Sequence, residues 1–447
     1  MATDDEQGFH MTDDLTPITL RPGEEGYTEA ATTYVHTGRP ALVFRPRDAA
    51  EVAAAIQYAR SHDLLLSVRS GGHSVLGFGT NDDGVVIDMS GFASIDVLDD
   101  VAGHVRIGAG VVWGDVATTL SGSGLSLTSG DTKSVGVGGL TLGGGMGWMV
   151  RNHGLTIDSL IAADIVTAAG QVLRLSDNEN PDLFWAIRGG GGNFGVVTHF
   201  EFIAQPATAV HAGTITYSVD DVAALVRGWS DAHRAAPEEL NSTLVLMPAF
   251  GAEMPAMAMG LVCFAGADQA AADAALAPLL ALDNRISTEI TEKAYADVLE
   301  EAQPPPGVKA MATNALVETV TDEVVAAVTE WYAAGTAGQL AFIRALGGAM
   351  NRVPSDATAF AHRTVEAMIV GAAFRPVDAP DDQLVEAVRP FDAVKALGVG
   401  AYAGFLGTAT EGDVAAIYPV PTRQRLAEVK RKYDPGNLFS QNFNIRP

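Results

Sequence analysis

An α+β fold in two domains is what the chain predicts, on three observations. Helical and strand patterns alternate before Gln205-Pro206. Beyond it, residues 214–403 mix alanine-rich helical segments with apolar strands. Three glycine-rich segments are confined to the first of these regions.

The elements follow in order. Asp48 and Glu51 form a D-x-x-E start ahead of Val52, Ile56 and Ala59, which predicts a capped helix with an apolar stripe ending near His62-Asp63. Residues 64–68 then read as a buried strand, completing a βαβ-like unit. Further strands are expected over 84–88, 105–108, 160–167 and 172–175, the last two joined by Ala168-Ala169-Gly170. Residues 180–188 look helical and 196–202 look extended. In the second region, 241–247 and 257–264 read as strands, while 265–282 and 322–334 read as helices. Strands with helices on one side fit an antiparallel sheet covered on one face. Met247, Met254, Met257 and Met259 form a methionine-rich patch expected to fill core, with a substrate lining as the alternative, and Pro304-Pro305-Pro306 a stiff loop.

The glycine segments carry the chemistry. Arg69-Ser70-Gly71-Gly72-His73-Ser74 places a histidine at the tip of a glycine turn directly after a strand. The second segment runs from Ser134 through Gly136, Gly138, Gly139, Thr141, Gly144 and Gly145 to Trp148, and the third from Arg188 through Gly189-Gly190-Gly191-Gly192-Asn193 to Thr198. Where side chains are absent, backbone N–H groups are exposed and donate to phosphate oxygens, so such loops cradle a pyrophosphate without lysine. Gly190 to Gly195 formally matches G-x-G-x-x-G, but a helix precedes it and a strand follows, the reverse of a Rossmann turn. No G-x-x-x-x-G-K-[ST] motif is present.

These three segments, together with Ala41-Leu42-Val43-Phe44-Arg45-Pro46, Asn180-Pro181-Asp182-Leu183-Phe184-Trp185 and Lys432-Tyr433-Asp434-Pro435-Gly436-Asn437-Leu438-Phe439, resemble the flavin-linked oxidoreductases of the vanillyl-alcohol oxidase and berberine-bridge-enzyme superfamily. The resemblance implies a PCMH-type FAD-binding domain over 1–205, a substrate domain over 206–405 whose sheet covers the flavin, and a segment 406–447 returning to the FAD domain. It also implies a covalent bond from a ring nitrogen of His73 to the 8α-methyl of FAD. Neutral imidazole is a competent nucleophile near pH 7, and attachment raises the flavin potential and prevents cofactor loss. Many relatives carry a second, cysteinyl bond in G-x-C-x-x-V-G. Thr132 stands at that position in Gly130-Asp131-Thr132-Lys133-Ser134-Val135-Gly136, and the lone Cys263 lies in an apolar run, so a single link is expected.

By the same resemblance, Arg69, Ser70, Gly71, Gly72, His73 and Ser74 face the pyrophosphate and flavin. Gly138, Gly139, Thr141, Gly144 and Gly145 line the flavin and phosphate side, Val197 meets adenine through its backbone, and Asn442 and Asn444 approach the ring from the far side. Hydride transfer to a flavin usually needs a base for the substrate proton. Tyr402, in what resembles the terminal strand of the substrate domain, and Tyr418 are the candidates; the alternative for each is a packed phenol bonded to backbone. Gly404 replaces an asparagine usual in the family, and Thr422-Arg423 replace an Asn-Tyr pair. His153 is expected to be a hydrogen-bonded structural histidine, with an acid or base role as the alternative.

Composition narrows the partners. The chain has 447 residues and is 47% hydrophobic, with a net charge of −26 that disfavours nucleic acid and anionic membranes. One cysteine excludes an internal disulfide, the ten histidines show no metal-ligand spacing, and no G-x-S-x-G marks a hydrolase. No apolar stretch of membrane-spanning length is present, and the acidic start Met1-Ala2-Thr3-Asp4-Asp5-Glu6 suggests a cytoplasmic protein. The expected function is an FAD-dependent oxidase acting on a C–H bond beside a hydroxyl or amine of a small molecule, with dioxygen as acceptor. A dehydrogenase with another acceptor, an oxidative cyclase and a non-enzymatic flavin binder are the alternatives.

Overall fold

The computed structural model describes residues 18–207, 209–249, 255–301, 307–334 and 338–447. Met254, Pro304-Pro305-Pro306 and the acidic N-terminus lie outside the described residues.

In the four-stranded sheet, Leu42–Phe44 and Leu66–Arg69 both run parallel to Val85–Asp88, which lies between them. The helix Ala49–Ser61 joins the first two, and the Asp48 carboxylate caps it by accepting from the Glu51 amide at 2.9 Å. The βαβ-like unit is thus present with a third strand inserted. Leu66–Arg69 lies at the sheet edge, so the turn carrying His73 leaves from an open side.

Five antiparallel strands follow, in the order Ile95–Asp99, His104–Gly108, Val196–Ile203, Leu160–Val166 and Val172–Ser176. Both sheets share one core. Val85, Ile87, Val105, Ile165, Phe200 and Phe202 meet there, joined by Leu426, Val429, Phe439 and Phe443 from the chain's end. Burying each such side chain contributes about 1.5–3 kcal/mol, which draws the C-terminal residues back onto the first half of the chain.

The third sheet has seven strands in the order Arg285–Lys293, Val210–Tyr217, Met257–Ala265, Leu240–Met247, Gln339–Ala345, Ala367–Pro376 and Val308–Val317, each antiparallel to its neighbours. Alternate residues divide its two faces. Ala341, Ile343, Ile369 and Val317 pack against Leu225 and Trp229 of the helix Val222–Ala235, Leu276 of Gln269–Leu280 and Val328 of Asp322–Ala333. Leu316, Phe342, Met368 and Val370 point the other way, onto Met146, Val150, Leu155 and Ile157 beside the second glycine segment.

Two expectations are corrected. The helix expected over 265–282 is only Gln269–Leu280, because Ala265 stays in strand pairing with Val210 and the Asp268 carboxylate caps the amides of Ala270 and Ala271. The second glycine segment is not all loop, since Val137–Gly143 is helical. Each helical glycine costs about 1 kcal/mol against alanine, but a Cβ on Gly138 would sit 3.0 Å from the Ala109 carbonyl oxygen, so close packing selects glycine there. Met247, Met257 and Met259 are half-buried in the sheet and belong to none of its apolar cores.

Candidate flavin site

The turn after Leu66–Arg69 is pinned from several sides. Ser70 Oγ donates to the Ala109 carbonyl at 2.6 Å and accepts from the Gly138 amide at 3.3 Å. Gly72, at φ +72°, gives its carbonyl to the Tyr34 amide at 2.8 Å. Arg69 is committed to structure: its guanidinium donates to the Thr32 carbonyl and pairs with the fully buried Asp88, which Arg45 also engages. Ser74 Oγ accepts from the Phe78 amide at 3.3 Å.

From this turn a closed ring of contacts runs through the other predicted segments. Gly71 lies against Gly136 of the second glycine segment. The Leu142 carbonyl there accepts from the amides of Gly189 and Gly191 in the third, at 3.1 and 3.0 Å. Asn193 then reaches the chain's end, donating to the Phe443 carbonyl at 3.2 Å and accepting from the Ile445 amide at 2.9 Å. Phe443 closes the ring edge-on to Phe78, 5.5 Å between centroids. Asn442 and Asn444 flank Phe443 at this closure.

The residues around this ring fit a large polar ligand. Among the buried oxygens without a protein partner are Thr141 Oγ1, Asn442 Oδ1 and Asn444 Oδ1, all in predicted cofactor residues. Such groups cost about 1–3 kcal/mol each when nothing satisfies them. Gly139 and Gly192 have open space where a Cβ would point, the condition for backbone to approach a ligand. Gly144 and Gly145 adopt φ of +118° and +80°, and a Cβ on Gly145 would collide with Thr156. Val197 is buried in the central strand of the five-stranded sheet, paired with Ile165.

His73 stacks on Tyr34, with centroids 4.8 Å apart and planes inclined by 20°, and its Nε2 lies 2.8 Å from Ser134 Oγ. Burial holds its pKa below the ordinary value, opposed by the Glu301 carboxylate and assisted by Arg69. The imidazole is therefore neutral near pH 7.

The two tyrosines part company. Tyr402 is not on a sheet strand, contrary to expectation: it is an extended residue leading into the turn Ala403–Phe405, because Asn314 takes both its amide and its carbonyl. Its phenol oxygen accepts from the amides of Gly145 and Met146; burial still raises its pKa, with those two donors pulling the other way. Tyr418 is packed in the core of the first two sheets near Gly191, and burial alone raises it. His153 bonds Asn152 at 3.3 Å and is kept neutral by burial.

Several contributors escaped sequence reading. Arg344 ties the seven-stranded sheet to the glycine side by pairing with Asp131 and donating to Thr243 Oγ1 and the Met146 carbonyl. Lys430, fully buried, donates to the carbonyls of Asn193 and Phe439 at 2.7 and 2.8 Å and pairs with Asp434. Among the described residues no cluster suits a metal ion, and no helix is long and apolar enough to cross a membrane.

Residues 40–176 match a family of FAD binding domains, and residues 423–446 match the berberine and berberine-like family. Over 470 aligned positions, spanning 97% of this chain and 98% of the relative, the chain is 31% identical to (R)-6-hydroxynicotine oxidase of Paenarthrobacter nicotinovorans. The chain belongs to the berberine-bridge-enzyme-like FAD-linked oxidoreductases. Its fold agrees with theirs throughout. The crystal structure of 6-hydroxy-D-nicotine oxidase from Arthrobacter nicotinovorans superposes with a TM-score of 0.86 at 29% identity, covering 96% of this chain and 97% of that one. A chitooligosaccharide oxidase superposes at 0.84 with 25% identity, covering 96% and 97%. This family member is an FAD-linked oxidoreductase; of the ring around His73, the turn itself and the second glycine segment lie within the portion matching the FAD binding domain, and Phe443 and Ile445 within the berberine-like C-terminus.

Proposed function

We propose that the chain is an oxidase whose FAD is bonded to His73 alone, which takes a hydride from a C–H bond beside a hydroxyl or amine and returns the electrons to dioxygen. The observation carrying this reading is the closed ring of glycine segments and C-terminal residues, with a neutral histidine on one side and unpartnered Thr141, Asn442 and Asn444 oxygens around it. FAD, when bound, supplies the two-electron acceptor. Arg69 to Ser74, Gly138, Gly139, Gly144, Gly145 and Val197 would hold it largely through backbone. The proposed domains are 1–205 for FAD, 206–405 for substrate, and 406–447 returning to the first.

Thr132 supports a single link, and Cys263 cannot provide a second: it is buried in the seven-stranded sheet with its thiol pushed up to about 12. Tyr402 is preferred to Tyr418 as the group receiving the substrate's proton, since it packs with Met146 beside the second glycine segment, whereas Tyr418 lies in the core of the first two sheets. Relatives named as oxidases of 6-hydroxynicotine and of chitooligosaccharide support an oxidase acting on a small molecule or oligosaccharide.

The test is to reduce the enzyme anaerobically with a panel of alcohols, amines and oligosaccharides, then admit air. Rapid reoxidation with one hydrogen peroxide per substrate is expected. Reoxidation only by an added quinone or dye would make it a dehydrogenase.

A further inference from the structure

We propose that Ser134 and Glu301 are positioning residues for flavin attachment, fixing the tautomer of His73 and carrying away its ring proton; the inference rests on the covalent reading above. Ser134 Oγ donates to Glu301 Oε1 at 2.5 Å and lies 2.8 Å from His73 Nε2. A hydroxyl that has given its one proton to a carboxylate offers histidine only lone pairs. Nε2 is therefore the protonated nitrogen, and Nδ1 carries the free pair that attacks.

Backbone pairing delivers Glu301 to this place from far along the chain. The Lys133 amide donates to the Glu300 carbonyl and the Glu300 amide to the Asp131 carbonyl, both at 3.0 Å, which sets Ser134 beside Glu301. Tyr295, bonded to Ser129 at 3.0 Å, and Leu299 are buried with Trp148 and anchor the same segment. Beyond the pair, a cleft of about 300 Å³ lined by Lys133, Ser134, Asp297 and Glu301 opens to solvent, giving the proton an exit.

In the attachment step a bond forms between His73 Nδ1 and the flavin 8α carbon. One C–H bond of the 8α-methyl breaks, its proton passes to water, and two electrons remain on the isoalloxazine. Alkylation makes the imidazole a cation until its Nε2 proton leaves through Ser134 to Glu301. Dioxygen then takes the two electrons and, with two protons, becomes hydrogen peroxide. A carboxylate at the end of the relay stabilises that cation and accepts its proton.

The experiment uses the full chain made in riboflavin-starved cells and then mixed with FAD, following bound flavin by fluorescence quenching and attached flavin by intact mass. Glu301→Gln and Ser134→Ala are expected to bind FAD but attach it at least about tenfold more slowly than the wild type, with Glu301→Asp recovering most of the rate. Attachment by Glu301→Gln at the wild-type rate would overturn the relay. So would loss of FAD binding in both variants, which would place the pair in the cradle instead. Binding without any attachment in the wild type would refute the covalent reading itself.

Discussion

Gly71 and Gly136 cross backbone to backbone: a Cβ on Gly71 would lie 2.3 Å from the Gly136 nitrogen, and one on Gly136 would lie 2.1 Å from the Gly71 nitrogen. This crossing joins the His73 turn to the second glycine segment. Gly71→Ala or Gly136→Ala must therefore push the segments apart, at a cost of about 1–3 kcal/mol, and is expected to lower both thermal stability and FAD uptake. Gly139 is the contrast, because nothing lies within 4 Å of its missing Cβ. Gly139→Ala should leave the apoprotein at least as stable as the wild type, since it replaces a helical glycine, while impairing FAD uptake, as thermal melts with and without FAD will show.

Thr141 offers a test in which two effects diverge. Its hydroxyl is fully buried and unpartnered within the protein. Thr141→Val should leave the apoprotein unchanged or stabilise it, since an unsatisfied group is removed. The same change should weaken FAD binding by about 0.5–1.5 kcal/mol, measured by titration in a His73→Ala background so that affinity is not masked by attachment.

Tyr402 and Tyr418 are separated by the same change. Tyr402→Phe should slow anaerobic flavin reduction by substrate about 10²–10⁴-fold. Tyr418→Phe should leave that rate nearly unchanged, because its phenol is packed in the core. Equal effects in stopped-flow traces would contradict the assignment.

Attachment should depend on pH in a defined direction. His73 has a pKa lowered from 6.5 by burial, with Glu301 favouring its cation and Arg69 opposing it. The neutral nucleophile then already predominates at about pH 6.5 and is lost as pH falls through the lowered value. The stability contributed by keeping His73 neutral is present over the same range and lost in the same direction. Attachment rates measured from pH 5 to 8 should be flat above neutrality and decline on the acid side. Glu301→Gln should move that decline to lower pH.

Local signals made much of this legible in advance. The Asp48 cap, the apolar stripe Val52, Ile56 and Ala59, and the glycines after Leu66–Arg69 are each decided by neighbours in sequence. Glu301 could not be read this way. It lies 167 residues from Ser134, and only the docking of its segment onto Lys133 brings them together. Arg344 and Lys430 were equally silent, since a buried cation becomes intelligible only when its partners, Asp131 for one and Asn193 with Asp434 for the other, are in place. Tyr402 shows the complementary failure: the family resemblance suggested a strand there, but Asn314 occupies the hydrogen bonds a neighbouring strand would have used.

The most direct measurement is the mass of the proteolytic peptide containing His73 from purified, FAD-loaded enzyme. The account predicts one FAD on that peptide, lost in His73→Ala, and none on the peptide containing Thr132. An unmodified His73 peptide from enzyme saturated with flavin would contradict it.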